Sequence, residues 1–153
     1  MNKKYFSIGL ALVLGAGYSL SAFSQAKPET LVKQRQAVMI LHGKYFYGHL
    51  RPIAQGKMPY DANRAAPAAG FLEALSRMPW DSFTPSTKDV KSAALPEIFS
   101  DAAKFKEAQD RLQSEVAKLV AVSKSGDEAA VKAQLGATGK TCGGCHENFR
   151  EKQ

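Results

Sequence analysis

The chain has 153 residues, 44% of them apolar and 23% charged, with a formal charge of +7. That balance is globular and excludes both wholesale disorder and a multi-span membrane protein. Two cysteines are too few for a disulfide scaffold, and the Lys and Arg residues are scattered instead of clustered, which argues against nucleic-acid binding.

Asn2, Lys3 and Lys4 open the chain with positive charge, and no charged residue follows from Tyr5 to Ala26. Ile8 to Leu20 is a compact apolar run, and the small residues Ala22 and Ser24 come after it. A positive end, a short apolar middle and a small-residue exit predict a secretory signal peptide over residues 1–24, with Ala26 offering a second cleavage register. An uncleaved anchor is the competing reading. The run has only 13 residues and three glycines, short of the roughly 20 residues of a bilayer span. Removal takes two lysines and no acid, so the exported chain carries +5. The expectation is one domain over residues 25–153, periplasmic, with no membrane span after processing.

The exported part reads as four helices. The first carries Leu31, Arg35, Val38, Met39, His42, Tyr45, Phe46 and His49 at three-and-four spacing, with Pro28 favourable in its first turn. Pro52 is expected to kink or end it. Asp61 can cap the second helix, which carries Phe71, Leu72, Leu75 and Met78 and stops at Pro79. Pro67 inside that span predicts a late start or a bend. Residues 80–96 form the one long loop. Ser100 or Asp101 caps a third helix with a stripe of Phe105, Ala108, Leu112, Val116, Leu119 and Val122. Gly126 ends it, and Asp127 caps the fourth, which runs through Val131, Leu135, Thr138, Cys142, Cys145, His146 and Phe149. Four amphipathic helices with mostly short links predict an all-α, antiparallel four-helix bundle. Trp80, Phe71, Phe105 and Phe149 read as core. In the Tyr45-Phe46-Tyr47 run at least one ring should be exposed.

Cys142-Gly143-Gly144-Cys145-His146 is the attachment pattern of a c-type haem. Each thiol adds to one vinyl group, and residues i and i+3 share a helix face. His146 can then turn its imidazole to the iron as proximal ligand. A thioredoxin-like redox pair would need a βαβ context, a zinc site would need His42 and His49 to converge on the cysteines, and a plain disulfide would leave His146 without a role. The helix-weakening Gly136, Gly139, Gly143 and Gly144 would let a planar ligand approach closely.

A C-terminal Cys-Gly-Gly-Cys-His-Glu-Asn-Phe-Arg, residues 142–150, on the last of four helices resembles the cytochrome c′ family. Further points of likeness span nearly all of the exported chain: Lys27-Pro28-Glu29, Arg35-Gln36, Pro59-Tyr60-Asp61, Pro79-Trp80 and Pro96-Glu97-Ile98. The resemblance implies an up-down-up-down bundle and one covalent haem c, with thioether links at Cys142 and Cys145 and His146 on the iron. It places Met39 on the distal side, as the sulfur ligand of low-spin relatives or as a wall beside a five-coordinate iron. His42, three residues further on, could compete as ligand. It also implies that Arg35, Gln36, Glu97 and Arg150 surround the haem. Two functions follow from it: one-electron transfer with redox partner proteins, or binding of nitric oxide, carbon monoxide and similar gases at an open iron. A homodimer through the first helices is implied as well. Enzyme activity is not expected, because no acid–base pair surrounds Met39.

Overall fold

A computed structural model describes residues 26–152, so the leader assigned to residues 1–24 lies outside them. The first rod is continuous over residues 28–54. It comprises α1 (Pro28–Gly43), a π-helical segment (Lys44–Leu50) and the short α2 (Arg51–Ala54). Pro52 therefore does not end the helix. In an α-helix its ring would press on the carbonyl four residues back. The wider π turn before it, closed by the Arg51 N–H to the Phe46 carbonyl, relieves that crowding.

The second rod, α3 (Ala62–Ser76), begins where Asp61 accepts the Asn63 N–H at 2.9 Å. Pro67 neither delays nor breaks it, since both Pro67 and Asn63, whose carbonyl the proline leaves free, lie on the exposed side. The loop after it is more ordered than its composition predicts. Two single 3₁₀ turns, Trp80–Ser82 and Pro85–Thr87, precede the one-turn α4 (Glu97–Ser100). Asp101, not Ser100, caps α5 (Ala102–Ser125). Gly126, at φ +74°, closes α5 in the left-handed region that only glycine enters freely. Asp127 then accepts the Ala130 N–H at 3.0 Å and starts α6 (Glu128–Phe149).

The π segment packs on α3, α3 on α5, α5 on α6, and α6 returns to α2, which closes an antiparallel four-helix bundle. Phe46, Leu50, Ile53, Leu72, Val116, Leu119, Val131 and Leu135 form its main core. A second cluster, Ile98, Phe105, Ala108 and Phe149, lies at the opposite end, with Trp80 and Phe83 against it. Phe71 is 54% exposed and so is not core, although Tyr45 stacks on it at 4.9 Å. In the aromatic run Phe46 is buried and Tyr47 is 48% exposed. Gly139 serves packing between helices: a Cβ there would stand 3.2 Å from Phe46 Cζ.

Candidate functional site

The C-terminal half of α6 carries the motif to the second, smaller cluster. Cys142 and Cys145 are free, half-buried and one turn apart. Burial raises the pKa of both thiols, and at Cys145 the neighbouring Cys142 adds to the rise while Arg150 opposes it. Raised thiols stay protonated, which disfavours the thiolate chemistry of a redox pair or a zinc site. Among the described residues no three His, Cys, Asp or Glu side chains converge on a metal position. Neighbouring His146 has its pKa lowered, first by burial and then by Arg150. A neutral imidazole keeps the lone pair that a metal ligand needs.

His146 faces a cavity of about 410 Å³ between α1, the loop and the end of α6. From α1 its wall takes Arg35, Gln36, Met39 and Ile40, and from α6 it takes Cys145, His146, Phe149 and Arg150. Trp80, Phe83 and Phe105 line the rest as interlocked rings, with Phe83 and Phe105 5.1 Å apart and Phe105 and Phe149 5.2 Å apart. Trp80 is pinned by its indole N–H, which donates to the Ser76 carbonyl at 2.8 Å. Phe105 and Phe149, read from sequence as core, are buried as expected and also form cavity wall, together with the half-buried Trp80 and Phe83.

Two arginines give this apolar cavity its charge. Arg35 is only 4% exposed and donates to Thr87 Oγ1 at 3.1 Å and Ser92 Oγ at 2.9 Å, with its guanidinium 4.7 Å from the Phe83 ring centroid. None of the ion pairs among the described residues includes it, and burial lowers its pKa. Arg150 has a buried Nε without a partner. Its backbone bridges Ala94, flanked by Leu95 N–H to the Phe149 carbonyl at 3.0 Å and Glu151 N–H to the Ala93 carbonyl at 2.9 Å. Those bonds and Arg35 fix the loop as a wall of the cavity. Buried cations call for anions. A flat, largely apolar group with carboxylates at its rim fits this donor set, and a haem has that chemistry.

Six of the sequence-predicted residues meet at the cavity: Arg35, Gln36, Met39, Cys145, His146 and Arg150. Two do not. Cys142 is off the wall, its thiol 3.6 Å from the Thr138 carbonyl. Glu97 lines a separate cleft of about 610 Å³ between α4, α5 and α6, reached from the other side of Cys145. The physical reason is helical phase: neighbouring Ile98 takes the cavity face of the one-turn α4, which turns Glu97 outward. Thr87 and Ser92, which hold Arg35, had no signal in the sequence, because a loop hydroxyl does not reveal its partner. His42 is off the wall too. Burial, the charge of His146 and an opposing bond to the Leu75 backbone leave its pKa at about 4.

Residues 30–150 match the profile of the cytochrome C′ family. Cytochrome c′ of Rubrivivax gelatinosus is 42% identical over 127 residues, covering 82% of this chain and 98% of the relative. Cytochrome c-556 of Rhodopseudomonas palustris is 33% identical over 150 residues, covering 93% and 97%. Among solved structures, cytochrome c′ from Rubrivivax gelatinosus aligns with a TM-score of 0.77 at 41% identity, over 82% of this chain and 98% of that one. The nitric oxide complex of a mutant cytochrome c prime from Alcaligenes xylosoxidans gives 0.78 at 39% identity, over 84% and 99%.

Proposed function

We propose, for a chain that belongs to the cytochrome c′ family, that it is an exported one-electron carrier whose iron lies between His146 and Met39. Proteins of this family bind haem c covalently. Bound in this chain, the haem supplies an iron that exchanges one electron between its ferric and ferrous states.

The residues divide the work. Cys142 and Cys145 would hold the haem through thioethers; Cys145 is on the cavity wall, and Cys142 lies one helical turn before it. His146 coordinates as a neutral imidazole. Arg35 and Arg150 neutralise the propionates, while Gln36 stands at the exposed edge. The observation that carries the reading is Met39, which reaches the same cavity as His146 from the opposite helix. A thioether there favours electron transfer over an open position and raises the potential relative to a second nitrogen. The rings of Trp80, Phe83, Phe105 and Phe149 give the cavity a largely apolar wall. Residues 1–24 direct export, the work is periplasmic, and the partners are redox proteins. The exposed Ile40, Leu41 and Tyr47 of the first rod, with Phe71 of α3 and Met78 just beyond its end, support a homodimer that involves the first helices.

One observation favours a second reading, a gas-binding protein with an open iron: a solved relative is a nitric oxide complex. Potentiometric titration followed by optical spectra decides between them. The carrier shows a reversible one-electron couple, low-spin bands in both states and no change under carbon monoxide. High-spin bands that shift under carbon monoxide would replace it with the gas-binding reading.

A further inference from the structure

The first rod carries a second iron-competent side chain. We infer that His42 is a reserve nitrogen ligand, which takes the sixth coordination position when the Met39 side chain is absent. The inference rests on the haem reading above, but not on Met39 binding the iron in the native protein.

Three observations place His42 in this role. Its Nε2 is wholly buried and has no hydrogen-bond partner, a state that native structures rarely tolerate without a reason. The Leu75 backbone of α3 acts on the ring, yet Nε2 itself has no partner. Nε2 is thus the ring nitrogen that no protein group occupies, and it can bind a metal when unprotonated. His42 also stands close enough to His146 for the charge of one imidazole to act on the other. It thus belongs to the end of the bundle where the iron is held, unlike the exposed His49.

Position on the helix completes the argument. His42 follows Met39 by three residues, so the two side chains stand on one face, a turn apart. His42 does not line the cavity, whose wall on α1 is Arg35, Gln36, Met39 and Ile40. Truncating Met39 opens that wall within one turn of the imidazole. Burial keeps the ring neutral, so no proton has to leave before it can coordinate. Imidazole is a stronger donor to ferric iron than a thioether, and the exchange would lower the potential.

The test compares haem-loaded Met39→Ala with Met39→Ala/His42→Leu by optical and electron paramagnetic resonance spectroscopy. Met39→Ala is expected to give a low-spin ferric spectrum of two nitrogen ligands and to bind carbon monoxide poorly. The double variant should be high-spin and bind carbon monoxide readily. Added imidazole should return the double variant to the low-spin form, which shows that its pocket is intact. A high-spin Met39→Ala, indistinguishable from the double variant, would overturn the assignment. The wild-type spectrum separates the two readings: if it is high-spin while Met39→Ala is low-spin, Met39 is not the native ligand and His42 still is the reserve.

Discussion

At one end of the bundle Leu50, Val116, Leu119, Val131 and Leu135 interlock, none more than 1% exposed. At the other end Phe105, Phe149, Trp80 and Phe83 surround a cavity of about 410 Å³ that also contains two arginines without carboxylates. The same helices build both ends. α5 contributes Phe105 to the cavity and Leu119 to the core, and α6 contributes His146 and Leu135. Protein interiors are normally close-packed, and voids cost stability. An end that declines to close, and buries cation in doing so, is organised around a group the polypeptide does not supply. Stability comes from one half and chemistry from the other.

The contrast can be broken from the closed end first. Leu119→Ala should cost about 2–5 kcal/mol in urea unfolding, because the fully buried site cannot collapse around the lost carbons. Its optical spectrum should stay that of the wild type. A changed spectrum would mean that the two ends are not independent.

Acid attacks the other end. The pKa of His42 is about 4 in the fold against an ordinary 6.5, chiefly through burial. Between those values the unfolded chain takes up a proton that the folded chain refuses. Stability is therefore full above pH 6.5 and declines as pH falls towards 4, by about 3 kcal/mol in all. Urea titrations across this window should show a slope in the wild type that flattens in His42→Leu. Equal slopes in the two proteins would remove His42 from the buried end.

The smallest effect belongs to the contact between the rods. Gly139→Ala gains roughly 1 kcal/mol of helix propensity. The new Cβ would press on the buried Phe46 ring from 3.2 Å, which costs slightly more. A net loss of roughly a few tenths of a kcal/mol with an unaltered spectrum is expected. A gain in stability would show that the Phe46 ring yields.

Periodicity made the rods legible. The stripe from Phe105 to Leu119 and the caps Asp61 and Asp127 appear in the structure as read, and of the two candidates Ser100 and Asp101 it is Asp101 that caps α5. Where local signals met a tertiary context they misled. Pro52 predicts a kink or an end, and the rod runs two residues past it behind a π turn. Pro67 predicts a late start or a bend, yet α3 starts at Ala62 and passes it with an exposed carbonyl. Cys145 and His146 meet Met39 and Arg35 at the cavity because the first two are adjacent in one motif and the last two share a helix face, while Cys142 lies off the wall. The rest of the wall was not legible. Trp80, Phe83 and Ser92 reach the cavity from an aperiodic loop, and the side of Glu97 depends on the phase of a single turn. Gly139 looked like room for a ligand, and only the packing of Phe46 reveals its role.

The most direct measurement is extraction of the denatured, purified protein with acidified organic solvent. Covalent attachment at the open end predicts that the colour stays with the polypeptide, on a single peptide spanning Cys142 to His146, and moves into the solvent only in Cys142→Ser/Cys145→Ser. Wild-type protein that surrenders its colour to the solvent would contradict the account.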